Sequence, residues 1–559
     1  MATATRKASV APVEGEGQGE SSGEGERAGE GERERGRLVA RAGVVGAGTL
    51  ASRVLGLLRD MALAAVFDRD ATDAWWVAFT IPNALRQLLG EGAVSSAVVP
   101  VLSEKLAKDG DDAGRQFFAR VRGVSLVALV VVTVLGVIYA GPLTELFAGG
   151  YRSRPGQLER TTRLTRVVFP YIFFVGTAAL GMAALNAKRR FAVAAFAPGL
   201  LNVALLAATF TLPAVLLARG HDPVLALALG ALVGGFLQVA AQWPALRAIG
   251  FAGAPKLTLD DDVRRVFRRL APLTLGVGVY YVDLVLSRRF LSDLGSGAQS
   301  YFSWAMRLCD FPQGIFVMAL STAALPSLSL LAARGDRAEL SKTWAHGMCL
   351  AMFVALPASV ALLAIGEPIV VAIFQRGAFD ATAAHETARA LFWQGGAIWT
   401  VAAVRQIVPA FYALGDTRTP AVVSALDLVA FLVLAFALKA PLGHVGISVA
   451  VAGSSAVQMA LLLVALRWRM GTIEGGTLAR SAARTLAASL VAAAAGWGAA
   501  RALTPAGPAG AVARALPGFV AFVVFTGAYG AASWAMKSPE LREILGTVQR
   551  RLARRRGAR

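Results

Sequence analysis

The sequence predicts an all-α polytopic membrane protein with about fourteen transmembrane helices. Three observations carry this. Of 559 residues, 56% are hydrophobic and only 16% charged, a balance far from that of a soluble globular domain. Apolar runs able to cross a hydrocarbon core of about 30 Å follow one another along the chain. The formal net charge of +20 sits in short segments between those runs. In a soluble protein that charge would suggest nucleic acid, but here it follows the positive-inside pattern, so no nucleic-acid partner is expected.

Residues 1–37 form a Gly/Glu/Arg low-complexity segment with almost no apolar content, so they cannot bury a core and read as a disordered cytoplasmic tail. No apolar stretch follows the start, which argues against a cleavable signal peptide. The predicted runs then lie near 38–66, 74–103, 121–141, 165–186, 192–217, 224–246, 267–291, 298–331, 343–364, 387–414, 419–438, 445–467, 482–502 and 515–536. Gly56, Pro82, Gly92, Pro312 and Gly314 fall inside runs and are expected to bend the chain beside a cavity.

Orientation follows from the flanking cations. Lys105, Lys108, Arg115, Arg120 and Arg122, then Lys188, Arg189 and Arg190, then Lys256, Arg264, Arg265, Arg268 and Arg269, then Arg334, Arg337 and Lys342 fall in alternate loops. Those loops, both termini and the basic tail at 538–559 are placed in the cytoplasm, the tail resting on anionic headgroups. Arg152, Arg154, Arg160 and Arg163 run against this trend.

The chain also repeats itself. Val98-Val99-Pro100-Val101-Leu102-Ser103 resembles Ala324-Leu325-Pro326-Ser327-Leu328-Ser329, and Gly141-Pro142-Leu143 resembles Glu367-Pro368-Ile369. Both proline pairs are 226 residues apart. The expected organisation is a six-helix lobe over 38–250 and a second over 251–470, related by a pseudo-two-fold axis along the membrane normal because six is even. Two further helices then fill 471–537.

Candidate working residues are the charges inside apolar runs. Arg53, Arg59, Arg86 and Arg307 occupy such places, and a guanidinium in hydrocarbon costs several kcal/mol unless it meets water or an anion. Arg binds phosphate in bidentate fashion and keeps its charge when desolvated, so a phosphate- or carboxylate-bearing substrate is expected. Arg53 and Arg59 lie about 120° apart on a straight helix, and a bend at Gly56 is expected to aim both at one cavity. The alternative reading pairs Arg59 with Asp60 or Asp73, and Arg307 with Asp310. Glu91 follows Arg86 by five residues. Asp283 and Asp427 are intramembrane acids, with Asp283 expected to pair with Arg288 or Arg289 and cation ligation as its alternative.

No GxxxxGK[ST] loop occurs, which opposes an intrinsic ATPase. Cys309 and Cys349 read as reduced packing residues, and the scattered His221, His346, His385 and His444 offer no metal site. No cofactor, metal or catalytic residue is expected. A polytopic glycan polymerase would need acids on a large outward loop, and 142–164 offers only Glu145 and Glu159.

Ser52-Arg53-Val54-Leu55-Gly56 with Arg59-Asp60, Ala71-Thr72-Asp73-Ala74, Ile81-Pro82-Asn83, Glu91-Gly92-Ala93 and Val99-Pro100-Val101-Leu102-Ser103-Glu104 together resemble the amino-terminal signature of the MurJ (MviN) lipid II flippase family. The resemblance runs from about 43 to 470. It includes Phe169-Pro170-Tyr171, Leu201-Asn202, Arg307-Leu308, Leu325-Pro326-Ser327-Leu328 and Asp416-Thr417-Arg418-Thr419-Pro420.

The resemblance implies a transporter of the multidrug/oligosaccharidyl-lipid/polysaccharide exporter superfamily in the bacterial inner membrane. It would move lipid II, the undecaprenyl-pyrophosphate-linked peptidoglycan precursor, from inner to outer leaflet for cell-wall synthesis. A cationic cavity would lie between the lobes, and the two extra helices would form a groove for the lipid tail. By the same resemblance Arg53, Arg59, Arg86, Arg307 and Arg405 bind substrate. Asp73 lies near the outer gate, with Asp60, Glu91 and Asp310 as gating or ion-pair partners. Membrane lipids and the peptidoglycan synthesis machinery are the further candidate partners. An exporter of another polyprenyl-linked glycan, of O-antigen type, shares this chemistry. Met306 stands where relatives often carry an acid before the arginine, and the basic pair Arg288-Arg289 stands where some carry a cation-binding acid.

Overall fold

The computed structural model describes residues 48, 50–90, 93–276, 278–314, 318–507 and 509–556, and among these every regular element is helical. Residues 50–66 form α1. Next come α2 (Arg69–Gly90), α3 (Ala93–Lys108), α4 (Gly110–Ile138), α5 (Ala140–Ala148), α6 (Gln157–Val168), α7 (Tyr171–Ala187), α8 (Phe191–Phe196), α9 (Gly199–Ala218) and α10 (Leu225–Ala248). A second series holds α11 (Asp261–Gly276), α12 (Gly278–Ser292), α13 (Ala298–Pro312), α14 (Met318–Ala333), α15 (Arg337–Phe374), α16 (Ala381–Gly396), α17 (Ile398–Ala413), α18 (Arg418–Leu442) and α19 (His444–Met470). The chain closes with α20 (Gly475–Leu503), α21 (Ala511–Ala535) and α22 (Pro539–Arg556).

The repeat of 226 residues is written into the helix boundaries. Shifted by 226, α4 and α5 become 336–364 and 366–374, which are the two parts of α15 on either side of its kink. The kink residue is Ile365, at φ −127° and ψ 19°, and its counterpart is Tyr139, the residue between α4 and α5. Shifted likewise, α6 and α7 become 383–394 and 397–413, against α16 and α17 as observed. The two series are therefore two copies of one architecture. Helices α20 and α21 pack on each other and both lie against α15, outside the repeat.

Nine helical segments among the described residues are long and apolar enough to cross a membrane alone: α4, α6 with α7, α9, α10, α15, α18, α19, α20 and α21. The other five predicted runs are helical too, but each is short, interrupted or partly outside the described residues. The run predicted over 74–103 divides into α2 and α3, that over 267–291 into α11 and α12, that over 298–331 into α13 and α14, and that over 387–414 into α16 and α17. The fifth is α1. These five carry Arg53, Arg59, Arg86, Asp283, Arg307 and Arg405. A span facing a wet cavity needs less apolar side chain and tolerates broken backbone there.

The expected bend at Gly56 is not found, since α1 is continuous across it. A lone glycine lowers helix propensity by only about 1 kcal/mol, which the packing of α1 against its neighbours outweighs, and a Cβ there would meet only the Asn202 amide of α9 at an ordinary 3.7 Å. Pro82 likewise lies inside a continuous α2, whereas α13 ends at Pro312.

The two copies close on each other at the end bearing Asp70. There Trp76 of α2 meets Trp304 of α13 edge to face, centroids 5.0 Å apart and planes at 81°, and Trp304 reaches Phe374 at 5.3 Å. Such pairs add about 0.5–1.5 kcal/mol beyond their buried area. The backbone N–H of Ala378 donates to the Ala65 carbonyl at 2.8 Å, and Arg69 forms an ion pair with Asp380. The off-trend arginines are largely neutralised at this end: Arg152 pairs with Glu145 at 2.6 Å, Arg154 with Asp70, and Arg160 with Asp222 at 2.5 Å.

Candidate functional site

Midway along α1, Arg59 and Asp60 point into the contact with α9 and α13. Asp60 is fully buried, and Arg59 is 8% exposed. The Arg59 guanidinium donates to Asp60 Oδ1 at 2.9 and 2.6 Å and to Asn202 Oδ1 at 2.8 Å. Asn202 in turn donates through Nδ2 to the Ser52 carbonyl at 2.9 Å, which fixes its amide. The other carboxylate oxygen, Asp60 Oδ2, lies 2.7 Å from Arg307 Nε of α13. One buried carboxylate thus joins an arginine from each copy.

Arg307 is also 4.0 Å from Asp310, one helical turn on, and 38% of its side chain and 51% of that of Asp310 remain open to solvent. Openness on charged groups within a span identifies a cavity wall. Arg53 Nη1 donates to the Asp310 carbonyl at 3.3 Å. A Cβ on Gly314 would fall 2.1 Å from the Arg53 guanidinium, so any larger residue there would displace that flexible side chain from its present place. Asp310 further feels the positive charges of Arg307, Arg405 and Arg53. The Arg405 carbonyl, on α17, accepts from Ser321 Oγ at 2.8 Å and ties α17 to α14.

The structure therefore brings Arg53, Arg59, Asp60, Arg307, Asp310 and Arg405 together. Four guanidinium groups against two carboxylates leave two positive charges among the described side chains. Arg86 lies on α2 with its side chain outside the described residues, and Glu91 lies outside them altogether.

Asp73 sits apart, at the closed end. Its Oδ1 accepts from the Ser300 N–H at 2.9 Å and from Ser300 Oγ at 2.7 Å, and its Oδ2 accepts from the Gly297 N–H at 2.8 Å. Gly297 is the N-cap of α13, so a carboxylate of one copy satisfies the orphan N–H groups that begin a helix of the other. Arg154 Nη1 stands 3.5 Å from the same carboxylate.

The pairing expected of Asp283 is overturned. Arg288 donates to Gln299 Oε1 at 3.0 Å and Ser303 Oγ at 2.6 Å, and Arg289 pairs with Asp293. Arg288 is turned toward α13 and Arg289 toward the helix end, five and six residues beyond Asp283. The charge that acts on Asp283 is instead Asp427 of α18, and Asp427 has Ser454 of α19 beside it. Among the described residues no group of three or more His, Cys, Asp or Glu side chains could hold a metal.

A family model described as lipid II flippase MurJ matches residues 63–516. The chain belongs to the MurJ family. A probable lipid II flippase MurJ of Bdellovibrio bacteriovorus is 33% identical over 452 residues, 80% of this chain and 86% of that protein. The lipid II flippase MurJ of Burkholderia cenocepacia is 34% identical over 430 residues, 75% of this chain and 82% of the relative. Among solved structures, a lipid II flippase MurJ in an inward closed conformation superposes with a TM-score of 0.69 at 20% identity, covering 88% of this chain and 99% of that one. An inward-facing multidrug resistance MATE family transporter of the MOP superfamily gives 0.62 at 13% identity, over 76% and 96% of the two chains. The last two likenesses are of fold.

Within this MurJ chain, sequence reasoning missed Asn202 as an Arg59 partner and Ser300 as the cross-lobe partner of Asp73. Asn202 had a signal, being a lone amide in the apolar run Gly199–Ala218. Ser300 had none, because hydroxyls are common in membrane helices.

Proposed function

We propose that this protein translocates lipid II from the inner to the outer leaflet of the bacterial cytoplasmic membrane by alternating access. The observation that carries the reading is the surplus of two positive charges in the cluster of Arg53, Arg59, Arg307 and Arg405 around Asp60 and Asp310. A pyrophosphate diester carries two negative charges, so the cluster is matched to it in sign and number. Arg53, Arg307, Arg405 and Arg86 bind the phosphates. Arg59, already committed to Asp60 and Asn202, positions Asp60 against Arg307.

In this reading the lobes are 38–250 and 251–470, the helices in 471–537 hold the polyprenyl tail, and 538–559 rests on the cytoplasmic headgroups. The Asp70 end faces outward and is sealed here. Solvent that reaches Asp310 and Arg307 must then enter from the inner side, where lipid II is made. Binding neutralises the cluster, the Asp73 cap on α13 releases, and rocking of the lobes exposes the substrate outside. Moving an anion out of a cell that is negative inside is favoured by about 2.3 kcal/mol per charge per 100 mV. Asp283 and Asp427 form a candidate ion site, and no covalent bond changes.

The test is complementation in a bacterium depleted of its own lipid II flippase. Rescue of growth and of outer-leaflet lipid II is expected. Failure to rescue, with export of an O-antigen-type polyprenyl glycan instead, would assign the cluster to that related substrate.

A further inference from the structure

Away from the cluster, at the Asp70 end of the second copy, α15, α16, α19 and α20 line an open cavity of about 660 Å³, with no residue of the first copy in its wall. Its floor is Leu362, Leu363, Phe392, Trp393 and Trp497, and its mouth carries Glu367, His385, Arg389 and Arg501. A wall of this composition beside the bilayer suits one hydrocarbon chain.

The charges at the mouth narrow the headgroup. Arg389 is neutralised by Glu386, which accepts from it at 2.9 and 3.1 Å. Arg501 is different: its guanidinium lies 5.3 Å over the Trp497 ring and has no carboxylate partner among the described residues. Glu367 accepts from the His385 ring at 3.1 Å, with both side chains more than half open to solvent. The mouth therefore offers one uncommitted cation and one carboxylate, each at the edge of an apolar floor. Tryptophans beside such charges are the residues that settle at headgroup level.

We propose that this cavity binds an aminophospholipid of the leaflet at the Asp70 end, its phosphate on Arg501, its ammonium on Glu367 and one acyl chain along Phe392, Trp393 and Trp497. A purely anionic lipid would satisfy Arg501 and oppose Glu367, and a choline lipid lacks the N–H donors that a carboxylate accepts. The site is separate from the arginine cluster and does not rest on the lipid II reading.

Native mass spectrometry of the full-length protein, released from nanodiscs with equal phosphatidylethanolamine, phosphatidylglycerol and phosphatidylcholine, reads the site. One phosphatidylethanolamine is expected to be retained in preference to the other two. Arg501→Ala should lower retention of phosphatidylethanolamine about tenfold, and with it the weaker retention of the other two phospholipids. Glu367→Gln should remove the preference for phosphatidylethanolamine over phosphatidylglycerol. Arg389→Ala should change neither, and unaltered thermal melting of each variant excludes misfolding as the cause. Retention of phosphatidylglycerol or of added undecaprenyl phosphate ahead of phosphatidylethanolamine in the wild type would overturn the assignment. So would retention unchanged in both Arg501→Ala and Glu367→Gln.

Discussion

Asp70 and Ser296 occupy the same place in the two copies, 226 residues apart, and they touch: Ser296 Oγ donates to Asp70 Oδ1 at 2.6 Å. Residues related by a two-fold rotation can be in contact only close to the axis. The pseudo-two-fold therefore passes between the first turn of α2 and the residues that lead into α13, and the closed end of the molecule is built around it. The cap by Asp73 lies within one turn of that axis, with Thr72 Oγ1 and Ser300 Oγ 2.7 Å apart beside it. Opening that end must break these bonds together, since they link the same two helices.

Removal of the Asp73 carboxylate should open that end. It forfeits three hydrogen bonds that join the two copies at the closed end, each worth about 1 kcal/mol net, so the equilibrium should shift on the order of a hundredfold. Spin labels at positions 152 and 378, one on each copy, should show longer distances in Asp73→Ala. Unchanged distance distributions would mean that the aromatic contacts alone hold the seal.

The arginines should divide by burial. Arg53→Ala and Arg307→Ala remove guanidinium groups that line the cavity, as Arg86→Ala is expected to do, and each should abolish complementation while the protein accumulates in the membrane. Arg59→Ala leaves a buried Asp60 with one partner fewer and an unsatisfied Asn202, a loss of about 3–5 kcal/mol for a broken buried pair. It should instead lower the melting temperature and the amount of protein. Normal complementation by all three cavity variants would remove the cationic mechanism.

Much of this was legible in the chain, for reasons that differ by residue. Apolar length located the spans, and the proline pairs Pro100/Pro326 and Pro142/Pro368 gave the repeat; the second pair lies just beyond the break at Tyr139 and Ile365, whereas the first lies inside the unbroken α3 and α14. Charge in an apolar run pointed to Arg53, Arg59 and Arg307, since hydrocarbon makes such residues costly. What stayed hidden depended on direction rather than composition. Arg288 and Arg289 are close to Asp283 in number, yet helix geometry turns them toward Gln299, Ser303 and Asp293. Gly56 looked like a hinge, but a single glycine costs a helix only about 1 kcal/mol, and α1 runs through it unbroken.

The orientation assigned from the basic loops has a direct check. Asp109-Gly110 and Gly335-Asp336 are equivalent turns of the two copies, and both lie at the opposite end from Asp70. Single cysteines at positions 110 and 335, in a background lacking Cys309 and Cys349, should react with an impermeant maleimide only from the cytoplasm, and one at position 70 only from outside. Labelling of 110 and 70 from the same side would overturn the topology.

The last expectation concerns Asp283 and Asp427. Asp283 of α12 feels the charge of Asp427 of α18 within the span, with both neighbouring arginines turned away, and a proton or a monovalent cation there would relieve that repulsion. Ser454 beside Asp427 supplies a neutral oxygen for either. With purified protein in liposomes, translocation of lipid II at fixed membrane potential should change when sodium is replaced by potassium or when the pH is stepped. Asp283→Asn, which can hold neither proton nor cation in the same way, should flatten both responses without emptying the membrane of protein. If the wild type ignores ion and pH alike, the two acids are not part of the coupling. The membrane potential acting on the substrate's own charge then remains the drive.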